Sequence, residues 1–161
     1  MDNIKPRYEF RVWADTLVSV HERLGRMAQP KTAESEETYL ISNATDECNA
    51  KIRARLMDIK VLVATYRGLQ QWKPILKAEF PLESSVIATQ VFPSLDLSPP
   101  PLPTTTYELE DFLDHVARTD TRLAIVSVRK KRYQFQIGAC AAEYAQTRIN
   151  DVARETAVAA R

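Results

Sequence analysis

The stretch RYEFRVW, residues 7–13, sets Arg7, Glu9 and Arg11 at alternate positions, with Tyr8, Phe10 and Val12 between and after them. Side chains of an extended strand point to opposite faces in turn, so this segment is charged on one side and apolar on the other. The pattern recurs. In AKIRARL (50–56) Lys51, Arg53 and Arg55 oppose Ile52, Ala54 and Leu56; in LKAEF (76–80) Lys77 and Glu79 oppose Leu76, Ala78 and Phe80. In KKRYQFQI (130–137) Lys130, Arg132, Gln134 and Gln136 oppose Tyr133, Phe135 and Ile137. One such strand is only a half-buried strand with a wet face. Several, each carrying Lys or Arg rather than Ser or Thr, point to one shared surface that holds an anion.

Composition narrows the class. At 161 residues, 45% hydrophobic and 27% charged, the chain reads as a single globular domain spanning 1–161 that needs neither disulfide nor metal to fold. Three glycines leave little room for a Gly-rich phosphate loop, and no G-x-x-x-x-G-K or G-x-G-x-x-G is present. A net charge of +1 excludes a polycation that coats nucleic acid indiscriminately. Acidic residues such as Glu34, Glu36, Glu37, Glu108 and Asp111 are expected in helices and loops, leaving the strand faces positive. Such a focused field favours a small, highly charged ligand. Cys48 and Cys140 lack metal-ligand spacing and read as two reduced thiols. No apolar run approaches the roughly 20 residues of a membrane span, and MDNIKPRYEF holds no apolar targeting core, so the expected location is the cytoplasm.

Spacings of three and four among Leu17, Val20, Leu24 and Met27 predict a helix over about 16–28, capped by Asp15 and followed by Pro30. EETYLIS (36–42) reads as a short strand. NAKIRARL and DIKVLVATY read as a hairpin with Asp58 near the bend and Lys60 joining the polar face. RGLQQWKPI is an irregular connection or one helical turn ended by Pro74, and SSVIATQVF is a short helix or a strand. The proline-rich stretch at about 93–106 reads as an extended connection between two halves of the domain; a ligand for a signalling module is the alternative. Thr105 with Glu108 suggests a capping box for a helix reaching about Arg118. TRLAIVSVRKKRYQFQIG, CAAEYAQTRIND and RETAVAAR read as strands. The sum is an α+β chain of about eight strands. Inward charges must stay hydrated or ligand-bound, which a closed antiparallel barrel, or tunnel, with helices packed outside allows.

In order and character these strands resemble the CYTH family, the triphosphate tunnel metalloenzymes. Arg7, Glu9 and Arg11 stand where that family carries E-x-E-x-K, Ile52-Arg53 where its basic L-R-I-R strand is expected, and Lys60 resembles its following lysine. Lys77 and Glu79 resemble an R-x-E strand, Lys130 and Arg132 a K-x-R pair, and Glu143 falls near the acidic residue of the next strand. Two departures stand out: Arg7 replaces a glutamate, and the closing strand carries only Glu155 where the family has E-x-E.

The resemblance implies a triphosphate-binding phosphohydrolase acting on inorganic or organic triphosphates. Arg11, Arg53, Arg55, Lys60, Lys77, Lys130 and Arg132 would bind the substrate, since Lys and Arg neutralise clustered phosphates and Arg adds paired hydrogen bonds. Glu9 and Glu79 would be catalytic, and Glu9, Glu79 and Glu143 would hold Mg or Mn. The alternative is a catalytically inactive module of the same fold that binds a polyphosphate, a nucleotide or an RNA end. The expected partner is a small polyanion such as triphosphate, with nucleic acid entering only as a triphosphate-bearing or single-stranded ligand. In the plainer rival reading the charges line the solvent face of an open sheet, in cross-strand pairs worth at most about 1 kcal/mol each. His21 and His115 read as surface residues, Trp13 and Trp72 as packing residues, with Trp13 sharing the parity of Glu9 and Arg11.

Overall fold

The computed structural model describes residues 6–161; the first five residues of the amino-terminal stretch lie outside the described residues. Eight strands form a closed barrel in the order β1 (Arg7–Ala14), β10 (Val152–Ala160), β9 (Cys140–Ile149), β8 (Leu123–Ile137), β2 (Lys31–Ser42), β3 (Cys48–Arg53), β4 (Leu56–Tyr66) and β5 (Leu69–Glu79). The pairings described are antiparallel, and a separate two-stranded sheet joins β6 (Leu82–Glu83) to β7 (Thr106–Tyr107). The expected α+β closed barrel is therefore present. Among the described residues no helix is long and apolar enough to cross a membrane.

The chain divides into two compact units, and the divisions fall within β2, β4, β5 and β8 rather than at the proline-rich connection. The first unit takes in the described residues up to Glu36, Val63–Trp72 and Ser127–Arg161. Here α1 (Val18–Met27) lays Leu17, Leu24 and Ala28 on Tyr133, Phe135, Ile137, Ala142 and Tyr144. The apolar parity of β8 thus faces the helix and the charged parity faces away. In the β9–β10 register Ala142 lies opposite Ala159 and Tyr144 opposite Ala157, and β1 continues the row with Phe10 opposite Ala159. Alanine is a weak strand former; pairing and packing override its propensity.

α1 starts two residues later than the spacing predicts, and Asp15 does not cap it: Asp15 pairs instead with Arg154 at 3.2 Å. The Leu17 amide donates to the Glu155 carboxylate from β10. A carboxylate here satisfies an otherwise orphaned amide and favours the positive end of the helix dipole. His21, expected on the polar side, is instead sandwiched in this layer, stacked on Tyr144 with ring centroids 4.3 Å apart and 4.5 Å from Tyr133.

The second unit takes in Glu37–Leu62 and Lys73–Val126. Its core joins Leu40, Ala50, Ile52, Met57 and Ile59 of the strands to two helical segments. The first, α2 (84–94), opens with a helical turn, passes through a π turn at Ile87–Val91 and ends at Ser94, so SSVIATQVF is helical. The second, α3 (109–117), begins at Leu109 and runs into a second π segment, with Phe112, Val116 and Ala117 buried. Thr105 forms no capping box; Glu108 occupies the cap position, and its side chain makes no hydrogen bond to the helix amides. The proline-rich connection is fastened rather than displayed. Leu97 and Leu102 pack on the core, and the Arg122 guanidinium donates to Ser98 O at 2.9 Å. Asp120 accepts three hydrogen bonds from Arg122, and those bonds hold its carboxyl below the usual carboxylate range.

The remaining differences concern turns. β3 and β4 are joined at Ala54–Arg55, both at positive φ (48° and 61°), so Asp58 lies inside β4 opposite Lys51 and not at the bend. Two successive left-handed residues are what a tight hairpin demands, normally of Asn-Gly. RGLQQWKPI is neither irregular nor helical: Arg67 and Gly68 make another positive-φ turn, and β5 runs on through Pro74.

Replacing Glu155 with Ala should destabilise the protein by about 1 kcal/mol in urea unfolding, as loss of a capping acceptor does, while Glu155→Gln, which keeps an oxygen at the Leu17 amide, should cost less.

Candidate functional site

Within the second unit the strand face turned away from the helices is charged. Lys51 and Arg53 alternate with the core residues Ala50 and Ile52, and the β3–β4 register sets Lys51 opposite Asp58 and Asn49 opposite Lys60, so all share one face. Lys77 and Glu79 alternate likewise with Leu76, Ala78 and Phe80. At the centre stands Glu37, which the sequence reading counts among the acids of helices and loops and not among the site residues, although EETYLIS is itself read as a strand. Glu37 lies on β2, is 1% exposed, and accepts hydrogen bonds from Tyr39 Oη at 2.8 Å, Arg53 Nη1 at 3.2 Å and Lys51 Nζ at 3.4 Å. A buried carboxylate is tolerated only when paired and hydrogen-bonded, and Glu37 is both. Its signal in the sequence was the alternation of Glu37 and Tyr39 with Thr38 and Leu40, masked by the run of neighbouring acids at Glu34 and Glu36.

Arg55 does not join this face. It sits in the β3–β4 turn, away from the other expected substrate-binding residues of this unit, and binds Glu108 at 2.8 Å and Glu110 at 3.3 Å, both at the start of α3. Lys60, Lys77 and Glu79, by contrast, make no ion pair among the described residues.

In the first unit the corresponding face holds Glu9, Arg11, Arg132, Gln134 and Glu143. Arg132 donates to Glu143 Oε2 through Nε (2.9 Å) and Nη2 (2.6 Å), joined by Gln134 Nε2 at 3.3 Å. Arg11 lies 3.8 Å from Glu9 and donates to the buried Thr156 hydroxyl at 3.2 Å, which in turn donates to Val12 O. Glu9, Arg132, Gln134 and Glu143 line a cavity of about 420 Å³ together with Lys31. Trp13 keeps the parity of Glu9 and Arg11, is half exposed, and takes the Arg11 guanidinium 5.9 Å above its ring. Lys130 lines a different hollow, described below.

Glu155 does not replace a missing inward acid. Its register partner is Gln146, on the parity of Tyr144, and its carboxylate serves the start of α1. Burial first, then the hydrogen bond and charge of Glu155, push the Tyr144 phenol up to about 12. Cys48 and Cys140 are free, and burial pushes the Cys48 thiol up to about 11, which keeps it protonated and unreactive near neutrality.

Glu143 is held by Arg132 and Gln134, Glu9 by Arg11, and among the described residues no three His, Cys, Asp or Glu side chains are grouped so as to hold a cation. Hard divalent ions take several oxygen ligands. Glu9, Glu79 and Glu143 as placed do not make that set for Mg or Mn.

No family model matches this chain, and neither does any curated protein. It is similar to a putative adenylyl cyclase from Hippeastrum described as having a dominant triphosphatase activity, at 12% identity over 96% of this chain and 79% of that one, with a TM-score of 0.47. A conserved hypothetical protein from Pyrococcus furiosus gives 10%, 95%, 78% and 0.47, and a putative adenylate cyclase from Bacillus halodurans 10%, 95%, 80% and 0.45. Likeness at this level carries no statement about ligand or activity.

Glu37→Ala should lower stability by about 2–3 kcal/mol in denaturant titration, less than the about 3–5 kcal/mol of breaking a fully buried pair, because Arg53 can turn towards water. Glu37→Gln, which keeps one acceptor, should cost less than Glu37→Ala.

Proposed function

We propose that this protein binds a small polyanion of the triphosphate class through cationic side chains on the helix-free faces of its strands. The observation that carries the reading is the disposition of Lys60 and Lys77: both belong to the charged face of the second unit, and neither has a carboxylate partner among the described residues. Arg53 shares that face and is aimed by the buried Glu37, so part of the positive field is fixed before any ligand arrives. Arg11 and Arg132 contribute to the field of the first unit, Arg11 beside Glu9 and Arg132 held by Glu143. Charge-assisted hydrogen bonds to phosphate are among the stronger polar contacts, and prior fixation of the donors lowers the ordering cost of binding.

The binding reading is preferred to hydrolysis because two of the three acids that would anchor a metal, Glu9 and Glu143, are engaged by arginine side chains. A triphosphatase acting with Mg or Mn is the second reading, favoured by Glu79, an exposed carboxylate two residues from Lys77 with no ion pair among the described residues.

Tripolyphosphate at a hundred times its dissociation constant should stabilise the protein by about 2.7 kcal/mol in thermal unfolding. Lys60→Gln and Lys77→Gln should each weaken binding about tenfold, or about 1.4 kcal/mol. Phosphate release with Mg or Mn that disappears in Glu79→Gln would establish the second reading, and an unfolding midpoint indifferent to millimolar tripolyphosphate would refute both.

A further inference from the structure

A second basic feature lies wholly within the first unit and does not depend on the triphosphate reading. A groove of about 660 Å³ is lined by Arg129, Lys130 and Lys131 of β8, Arg148 of β9 and Arg154 of β10. In the β8–β9 register Arg129 lies directly opposite Arg148, and Lys131 opposite Gln146, so Arg129, Lys131 and Arg148 share one strand face. Like charges placed directly across a sheet are destabilising, and such a pair is relieved when an anion bridges it.

Four carboxylates, Asp15, Glu34, Glu36 and Glu155, share the lining with five cations, and two of them pair with those cations only weakly. Glu36 meets Arg129 at 3.5 Å and Asp15 meets Arg154 at 3.2 Å, and all four side chains are largely exposed, which makes pairs of this kind worth about 0–1 kcal/mol. Glu155, also in the lining, is committed to the Leu17 amide. Arg148 and Lys131 have no carboxylate partner among the described residues; Arg148 donates to Asp151 O, and Lys131 sits 5.8 Å over the Tyr133 ring.

Two features select the ligand. Alternate strand residues repeat about every 6.4–6.8 Å, so Arg129 and Lys131 are spaced like successive phosphates of a nucleic-acid backbone rather than the tighter phosphates of an anhydride chain. No aromatic side chain lines the groove, so nothing there stacks on bases. We infer that this groove docks the sugar-phosphate backbone of a nucleic acid, through phosphate contacts that carry no sequence preference.

The test is binding of fluorescein-labelled single-stranded oligonucleotides of two unrelated sequences, with a duplex as a further arm, across a salt series. The intact protein should bind both single strands alike, with affinity falling as salt rises. Arg129→Gln with Arg148→Gln should lower the slope of log affinity against log salt by about 1.4, since each single-strand phosphate contact contributes about 0.7. That variant should bind tripolyphosphate as the parent does, and Arg129→Lys with Arg148→Lys should retain most oligonucleotide binding. Tighter binding of the duplex would place the same backbone contacts on paired strands. An unchanged affinity and slope in the Gln variant, or failure of the intact protein to bind any oligonucleotide at low salt, would overturn the inference whatever tripolyphosphate does. An unfolding midpoint of the Gln variant close to the parent's shows that its loss of binding is not misfolding.

Discussion

Side-chain alternation binds every strand residue of this protein to its neighbours: once Ile52, Met57 and Ile59 are committed to the helices of the second unit, Lys51, Arg53, Asp58 and Lys60 must take the other face. The same constraint acts in the first unit, where Tyr133, Phe135 and Ile137 lie on the α1 side and leave Arg132 and Gln134 opposite. A shift of one residue in either register would bury several cations under a helix, at a cost no surface contact could offset. The charged faces are thus not an addition to the fold but the complement of its core.

What those faces do with their charge differs from a bare ring of cations. Arg11, Arg53 and Arg132 each meet a carboxylate, and only Glu37 among those carboxylates is wholly buried. Such pairing stabilises little in itself once desolvation is counted, but it fixes the geometry of the guanidinium groups. Lys60 and Lys77 retain the uncompensated charge, so affinity for an anion should reside in the lysines and orientation in the arginines. The groove between β8, β9 and β10 follows different physics: Arg129, Lys131, Arg148 and Arg154 are exposed, and the Arg129–Arg148 pair opposes like with like.

The architecture was legible because its signal is periodic. Strands β1, β3, β5 and β8 all show the alternation in the sequence, and closure followed from the need to keep inward charges wet. Features set by contacts between distant residues were not legible. The start of α1 depends on Glu155, far along the chain, so local capping logic chose Asp15 wrongly. His21 looked polar by helix position, yet the partners that enclose it come from β8 and β9. The Ala54–Arg55 turn lacks the glycine that usually betrays left-handed backbone, which let Arg55 pass for a strand residue. Pro74 was read as a stop because proline interrupts most ladders, whereas β5 passes through it. Glu37 was lost among acids whose neighbours do face solvent.

The central claim, that the helix-free strand faces are an anion-binding surface, is tested most directly by a crystal structure of the protein grown with tripolyphosphate. The account predicts phosphate oxygens within hydrogen-bonding distance of Lys60 and Lys77, with Arg53 still held by Glu37. Phosphate bound only on the helix side of the strands, or no bound phosphate at concentrations that saturate binding in solution, would contradict it.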